Sequence, residues 1–206
     1  MARAAAKRES ADFRRQSLIE AAAECLADKG VAGTSVRTIC ARAGVSPGLL
    51  RHYFEGIDDL IAATYRDVTE QVSRSLAEAE EEAGPDPRQR LIAFVTASFR
   101  PPIANPKLLA TWLAFWSLVN TRPAIAAIHG ETYRSYREAL ERLLASCGLD
   151  SAEGQRAAIA LTALVDGLWL ELSLDPSTFT PAEASAIAVR WVDNWLGSPP
   201  RTPITA

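Results

Sequence analysis

Residues that carry chemistry are scarce in this chain of 206 amino acids, and each scarcity closes off a class of function. There are three cysteines, Cys25, Cys40 and Cys147. Their number is odd and no CxxC pair occurs, so neither a disulfide framework nor a zinc site is expected and three reduced thiols are the default. The two histidines, His52 and His129, stand too far apart in sequence to suggest a metal centre. No phosphate loop, metal-ligand cluster or Ser/Cys–His arrangement is present. Cys147 with His129 is the only pairing on offer, and nothing around it marks a nucleophile, so the chain does not read as an enzyme and implies no cofactor and no metal. Uninterrupted apolar runs of about 18 residues are missing, and the opening Met-Ala-Arg-Ala-Ala-Ala-Lys-Arg lacks the apolar stretch of a signal peptide. A cytoplasmic protein with no membrane partner is the expectation.

Excess positive charge is missing too. The net charge of −3 argues against a wholly basic nucleic-acid binder, yet its distribution is uneven. Residues 1–56 hold 9 Lys+Arg against 6 Asp+Glu, while the remainder holds 13 against 19. The basic excess therefore lies at the N-terminal end, with chance scatter over a solvated surface as the plain alternative.

What the chain does have is helical periodicity and 48% hydrophobic residues, enough for a sizeable core. The stretch from Thr34 to Phe54 organises the rest. It reads as a helix, a tight turn at Gly44, and a second helix with Ser46 as N-cap and Pro47 at its first position, where a missing N–H costs nothing. Val36, Ile39 and Ala43 share one face of the first helix, and Leu50 and Phe54 share one face of the second, so both can close over a third helix. The other face of the second helix, with Pro47, Gly48, Leu49, Arg51 and His52, is then free to enter a DNA major groove.

Upstream, Arg3, Lys7 and Arg8 form a small basic arm, able to reach phosphates or simply a frayed end. A scaffold helix follows over 12–29 and stops at Gly30; Thr34 or Ser35 caps the next helix. Downstream, Asp58 and Asp59 open a long helix that ends near the acidic run Glu80–Glu82. Proline-marked breaks then divide the chain into helices near 88–99, 106–119, 123–147, 152–173 and 181–196, the last with a Thr180…Glu183 capping box. The expected fold is all-α with about nine helices: residues 1–56 as a three-helix DNA-binding helix-turn-helix domain, residues 57–206 as an effector-binding and dimerisation domain.

Residues from about Arg14 to Leu60 resemble the N-terminal domain of the TetR family of bacterial transcriptional regulators. Ser35-Val36, Ile39-Cys40, Ala43-Gly44-Val45-Ser46, Gly48-Leu49-Leu50 and His52-Tyr53-Phe54 followed by Leu60 carry the resemblance. The pieces Trp112-Leu113-Ala114-Phe115-Trp116 and Leu164-Val165-Asp166-Gly167-Leu168-Trp169-Leu170 are similar to the choline-responsive, BetI-like branch of that family. The resemblance implies a repressor, homodimeric on a palindromic operator. It places Pro47, Gly48, Leu49 and Arg51 in the groove, Ser35, His52 and Tyr53 on phosphates, and Arg37 and Ser46 within the same interface. Arg51 can fork onto guanine O6 and N7, or be an ordinary surface charge; His52 and Tyr53 can equally pack on the first helix. Relatives usually carry a lysine where this chain has Ile57, so one phosphate contact is expected to be lost.

The helix over 152–173 is apolar nearly all round, and the last helix sets Ile187, Trp191 and Trp195 at four-residue spacing. In the family these helices pair with their symmetry mates; intramolecular core is the other reading. Within the apolar helix Asp166 needs a partner, whether a hydroxyl such as Thr162 one turn back, a backbone donor or a bound cation, and Glu171 lies about 140° round from it. One carboxylate with Trp112, Phe115, Trp116 and Trp169 suits a quaternary ammonium held by charge and cation–π attraction, choline being the ligand the resemblance implies. The same aromatics can instead fill core, and a regulator of efflux or catabolism answering to an uncharged apolar ligand remains open.

Overall fold

The computed structural model describes residues 2–197, with side chains from residue 11 onward, so the basic arm of Arg3, Lys7 and Arg8 lies outside the described side chains. Among the described residues the chain is all-α, with nine helices and no strand. They are α1 (Ala2–Gly33), α2 (Val36–Ala43), α3 (Pro47–Tyr53), α4 (Ile57–Glu82), α5 (Pro87–Ala97), α6 (Pro106–Val119), α7 (Pro123–Ser146), α8 (Ser151–Leu174) and α9 (Pro181–Leu196).

Their boundaries sit where cap chemistry puts them. Gly30 breaks the helical geometry of α1 with φ of 61°, a conformation only glycine takes without strain. Asp86, Asp150 and Thr180 each accept a backbone N–H of the first turn they precede, and Pro87 and Pro181 follow at positions that need no donor. Thr180 and Glu183 close the expected reciprocal capping box. The α5 helix starts one residue earlier than its apolar pattern suggests, because the Asp86 carboxylate accepts from the Gln89 N–H at 2.8 Å.

The chain forms two compact units. Among the described residues one comprises 2–71 and 106–130, the other 72–105 and 131–197. This partition follows packing and differs from the division at 56/57 expected from the sequence. In the first unit α1 packs on α2 and α6, and α2 on α3. In the second, α9 packs on α5 and α8.

By length and composition α8 could cross a bilayer once scattered charges are tolerated, although it has no uninterrupted apolar run. Its Gly154, Ala157, Ala158, Leu161, Val165, Leu168 and Leu172 are buried within the second unit. Ile159, Leu170 and Leu174, by contrast, are exposed, as are Ile187 and Trp195 on α9.

Candidate DNA interface and effector site

In the first unit Leu18, Ile19, Ala22, Cys25, Ile39, Cys40, Leu50, Phe54 and Leu60 form one buried cluster, with Val36, Ala43, Val45, Tyr53 and Ile57 packed against it. Leu50 is fully enclosed, so the underside of α3 is sealed and its orientation is set. The turn into α3 is made by Gly44, in the left-handed region with φ of 66°, whose N–H returns to the Cys40 carbonyl. Ser46 then caps α3, its hydroxyl accepting from Leu49 N–H at 3.3 Å.

That geometry leaves a ridge in solvent. Arg37, Ser46, Pro47, Gly48, Arg51 and His52 are exposed, and Ser35 and Leu49 are half-exposed. Tyr53 is half-buried against the cluster, and the His52 ring meets it edge-on at 5.0 Å. Ser35, rather than Thr34, is the cap of α2: its hydroxyl accepts from Thr38 N–H while the Thr38 hydroxyl accepts from Ser35 N–H. Thr34 is buried and donates to the Gly30 carbonyl at 2.7 Å.

One basic residue of α2 has another task. Arg42 pairs with Glu24 at 2.9 Å and Asp28 at 2.6 Å, both on α1, and its hydrogen bond holds the Asp28 carboxyl below the usual range. Ile57 packs where a lysine was the family expectation. The acids beside it are engaged: Asp58 pairs with Arg122, and Asp59 accepts from Glu55 N–H at 3.1 Å.

The aromatic residues expected around an effector divide between the two units. In the first, Phe115 stacks on Tyr65 with ring centroids 4.2 Å apart and Trp112 meets Tyr65 edge-on at 5.9 Å. Tyr65 and Phe115 are fully enclosed, Trp112 is buried and Trp116 half-buried. The Tyr65 hydroxyl also lies 3.2 Å from His129 Nδ1.

Asp166 and Trp169 belong to the second unit. The partner that Asp166 needs is not Thr162, whose hydroxyl donates to the Ala158 carbonyl at 2.7 Å in the usual back-bonding of a helical threonine. It is Tyr133 of α7, which donates to the Asp166 carboxylate at 3.1 Å. Burial pushes the Asp166 carboxyl up to about 6, against the opposing pull of the Tyr133 hydrogen bond and of the Arg137 charge. Tyr136, also on α7, stacks on Phe94 at 5.5 Å, and burial together with the Asp166 charge raises its hydroxyl. The Ser98 carbonyl accepts from the Trp169 indole N–H at 2.9 Å, and the buried Tyr136 hydroxyl has no hydrogen-bond partner among the described residues. Phe94, Tyr133, Tyr136 and Trp169 thus belong to one packed group with Asp166. Tyr133, Tyr136 and Arg137 escaped the sequence reading; their three- and four-residue spacing on one face of a helix was the available signal.

No group of three potential metal ligands occurs among the described residues. Burial raises the thiols of Cys40 and Cys147, the opposite of what a nucleophile requires.

Residues 18–64 match the bacterial regulatory proteins of the tetR family, and residues 87–197 match the C-terminal domain of BetI-type transcriptional repressors. The HTH-type transcriptional regulator BetI of Paraburkholderia xenovorans is 34% identical over 188 residues, covering 91% of this chain and 95% of that protein. A crystal structure of a transcriptional regulator from Pseudomonas aeruginosa superposes with a TM-score of 0.82 at 43% identity, covering 90% of this chain and 91% of the other. A regulator from Saccharomonospora viridis, in complex with choline, superposes at 0.78 with 18% identity over 88% of this chain and 96% of its own, a likeness of fold alone.

Proposed function

The chain belongs to the TetR family of bacterial regulatory proteins with a BetI-type C-terminal part, and from that premise we propose that it represses transcription as a cytoplasmic homodimer on a palindromic operator, released or recruited by a small cationic effector. That it is a transcriptional regulator and not an enzyme follows from the family. The observation that carries the finer reading is the exposed ridge of α3 above a sealed core. Pro47, Gly48, Leu49 and Arg51 are free to meet base edges, and Ser35, Arg37, Ser46, His52 and Tyr53 flank them toward the phosphates.

Exposed Ile159, Leu170 and Leu174 on α8 and Ile187 and Trp195 on α9 support the dimer, since two copies would bury them together. The effector site centres on Asp166 and Trp169. A half-buried carboxylate among aromatic faces suits a quaternary ammonium, which offers no hydrogen-bond donor and is held by charge and cation–π attraction. Choline is the ligand this reading names, and the choline-bound fold neighbour supports it. Trp112, Phe115 and Trp116, the other aromatics proposed for the effector, lie in the first unit, Trp112 and Phe115 enclosed around Tyr65 and Trp116 half-buried.

Titrating intrinsic tryptophan fluorescence with choline and with its neutral isostere tests the effector, and a mobility shift on DNA flanking the protein's own gene tests the operator. Choline alone is expected to quench and to change the shift. Equal quenching by both ligands would remove the cationic site, and no shift at all would remove the repressor.

A further inference from the structure

Two charges of opposite sign act at the effector site. Tyr133 donates to Asp166 at 3.1 Å, and Arg137 lies four residues further along α7, on the same face and one turn on. The Arg137 charge is felt by the Asp166 carboxylate. Yet Arg137 is half-buried and makes no ion pair of its own among the described residues. A carboxylate and a guanidinium that act on one another without forming an ion pair make a dipolar site. An isolated ammonium placed at Asp166 would be attracted by the carboxylate and repelled by the guanidinium. A ligand carrying both charges would satisfy both groups, and a guanidinium is the side chain best shaped to take a carboxylate in a fork.

We propose that the site prefers a zwitterionic quaternary ammonium to a purely cationic one, the methylated head at Asp166 among Tyr133, Tyr136 and Trp169 and the acidic end on Arg137. This rests on Asp166 as the cation site and goes beyond it by naming the second charge. Arg137 is then the residue that distinguishes ligands with the same head: it favours an acidic tail over a hydroxyl tail.

Four probes of matched shape separate the two charges. Glycine betaine has the cationic head and an acidic tail, and choline the same head with a hydroxyl tail. The tert-butylacetate anion and neohexanol are their counterparts with a neutral head. By calorimetric titration of the full-length protein, glycine betaine is expected to bind about tenfold tighter than choline, the size of one good charge-assisted contact. Arg137→Met is expected to erase that preference and leave choline binding unchanged or tighter, and Arg137→Lys to keep part of it. Choline binding as tightly as glycine betaine to the unaltered protein would overturn the proposal. The cation site would survive that result provided choline still outbinds neohexanol. If neither ammonium outbinds its neutral counterpart, both the cation site and the proposal fall. An equal loss of both ammonium ligands in Arg137→Met would also overturn it, by making Arg137 a support of the fold.

Discussion

Tyr133 and Asp166 meet across 3.1 Å, the phenol donating to the carboxylate, and this contact joins α7 to α8. It opposes burial without cancelling it, which leaves the carboxyl at about 6. The folded chain therefore holds the Asp166 proton more tightly than the unfolded chain does. The stability this contributes is complete below the ordinary aspartate range and is lost as the pH rises through about 6. Asp166→Asn is accordingly expected to make the unliganded protein more stable at neutral pH, by about 1–2 kcal/mol after allowing for partial solvent screening, and to change little at pH values near 4. Urea denaturation at the two pH values checks it; an equal shift at both would show that ionisation is not the cause.

Glu80 behaves in the opposite sense. Its side chain is only 8% exposed and receives Arg142 through two nitrogens at 2.9 and 3.1 Å, with Arg90 as a second partner, so its carboxyl is held below the ordinary range. Glu80→Gln is expected to cost about 1–3 kcal/mol at neutral pH, because two arginines then face an uncharged group but can still reach water. The stability Glu80 contributes is present above the ordinary glutamate range and lost as the pH falls through its lowered one. The gap between variant and parent in acid unfolding curves should therefore narrow on acidification.

Arg51 stands exposed on the ridge of α3. Arg51→Ala is expected to cost about 1–3 kcal/mol on the specific operator and to relax discrimination at one base pair, read by titrating mutated operators. Unchanged base preference would leave Arg51 as a surface charge.

Ile57 packs on the core at the start of α4. Ile57→Lys is expected to steepen the salt dependence of operator binding by about one phosphate contact, with the lysine stem keeping most of the packing. Binding measured across a salt series decides this, an unaltered slope being the adverse result.

Ile159 is 61% exposed and Leu174 67% exposed, on one side of α8. Ile159→Glu is expected to shift the dimer toward monomer in sedimentation and to weaken operator binding together with it. A variant that still sediments as a dimer would move the interface elsewhere.

The reading head was legible in the chain because its signals are local. The capping residues Ser35 and Ser46, the left-handed Gly44, Pro47 at a helix start and the apolar spacing of Ile39, Leu50 and Phe54 all act within a few residues of themselves. The ends of α6 and α9 followed from Pro106, Pro181 and the Thr180–Glu183 box for the same reason. Arg42 shows where this stops. As a charge it looks like any other in a basic segment, and only the packing of α2 on α1 commits it to Glu24 and Asp28.

Helix count, the helix starts marked by proline or a cap and the outward ridge of α3 were thus determined by sequence alone, since backbone caps and periodic burial are properties of neighbours along the chain, whereas α1 spans Ala2–Gly33 where 12–29 was expected. Which group answers a buried charge was decided by tertiary structure. Thr162 is close to Asp166 in sequence, but its hydroxyl is taken by its own helix, whereas Tyr133 and Arg137 come from another helix altogether. A desolvated carboxylate takes whichever donor the packing of whole helices brings within reach, and no local pattern encodes that choice.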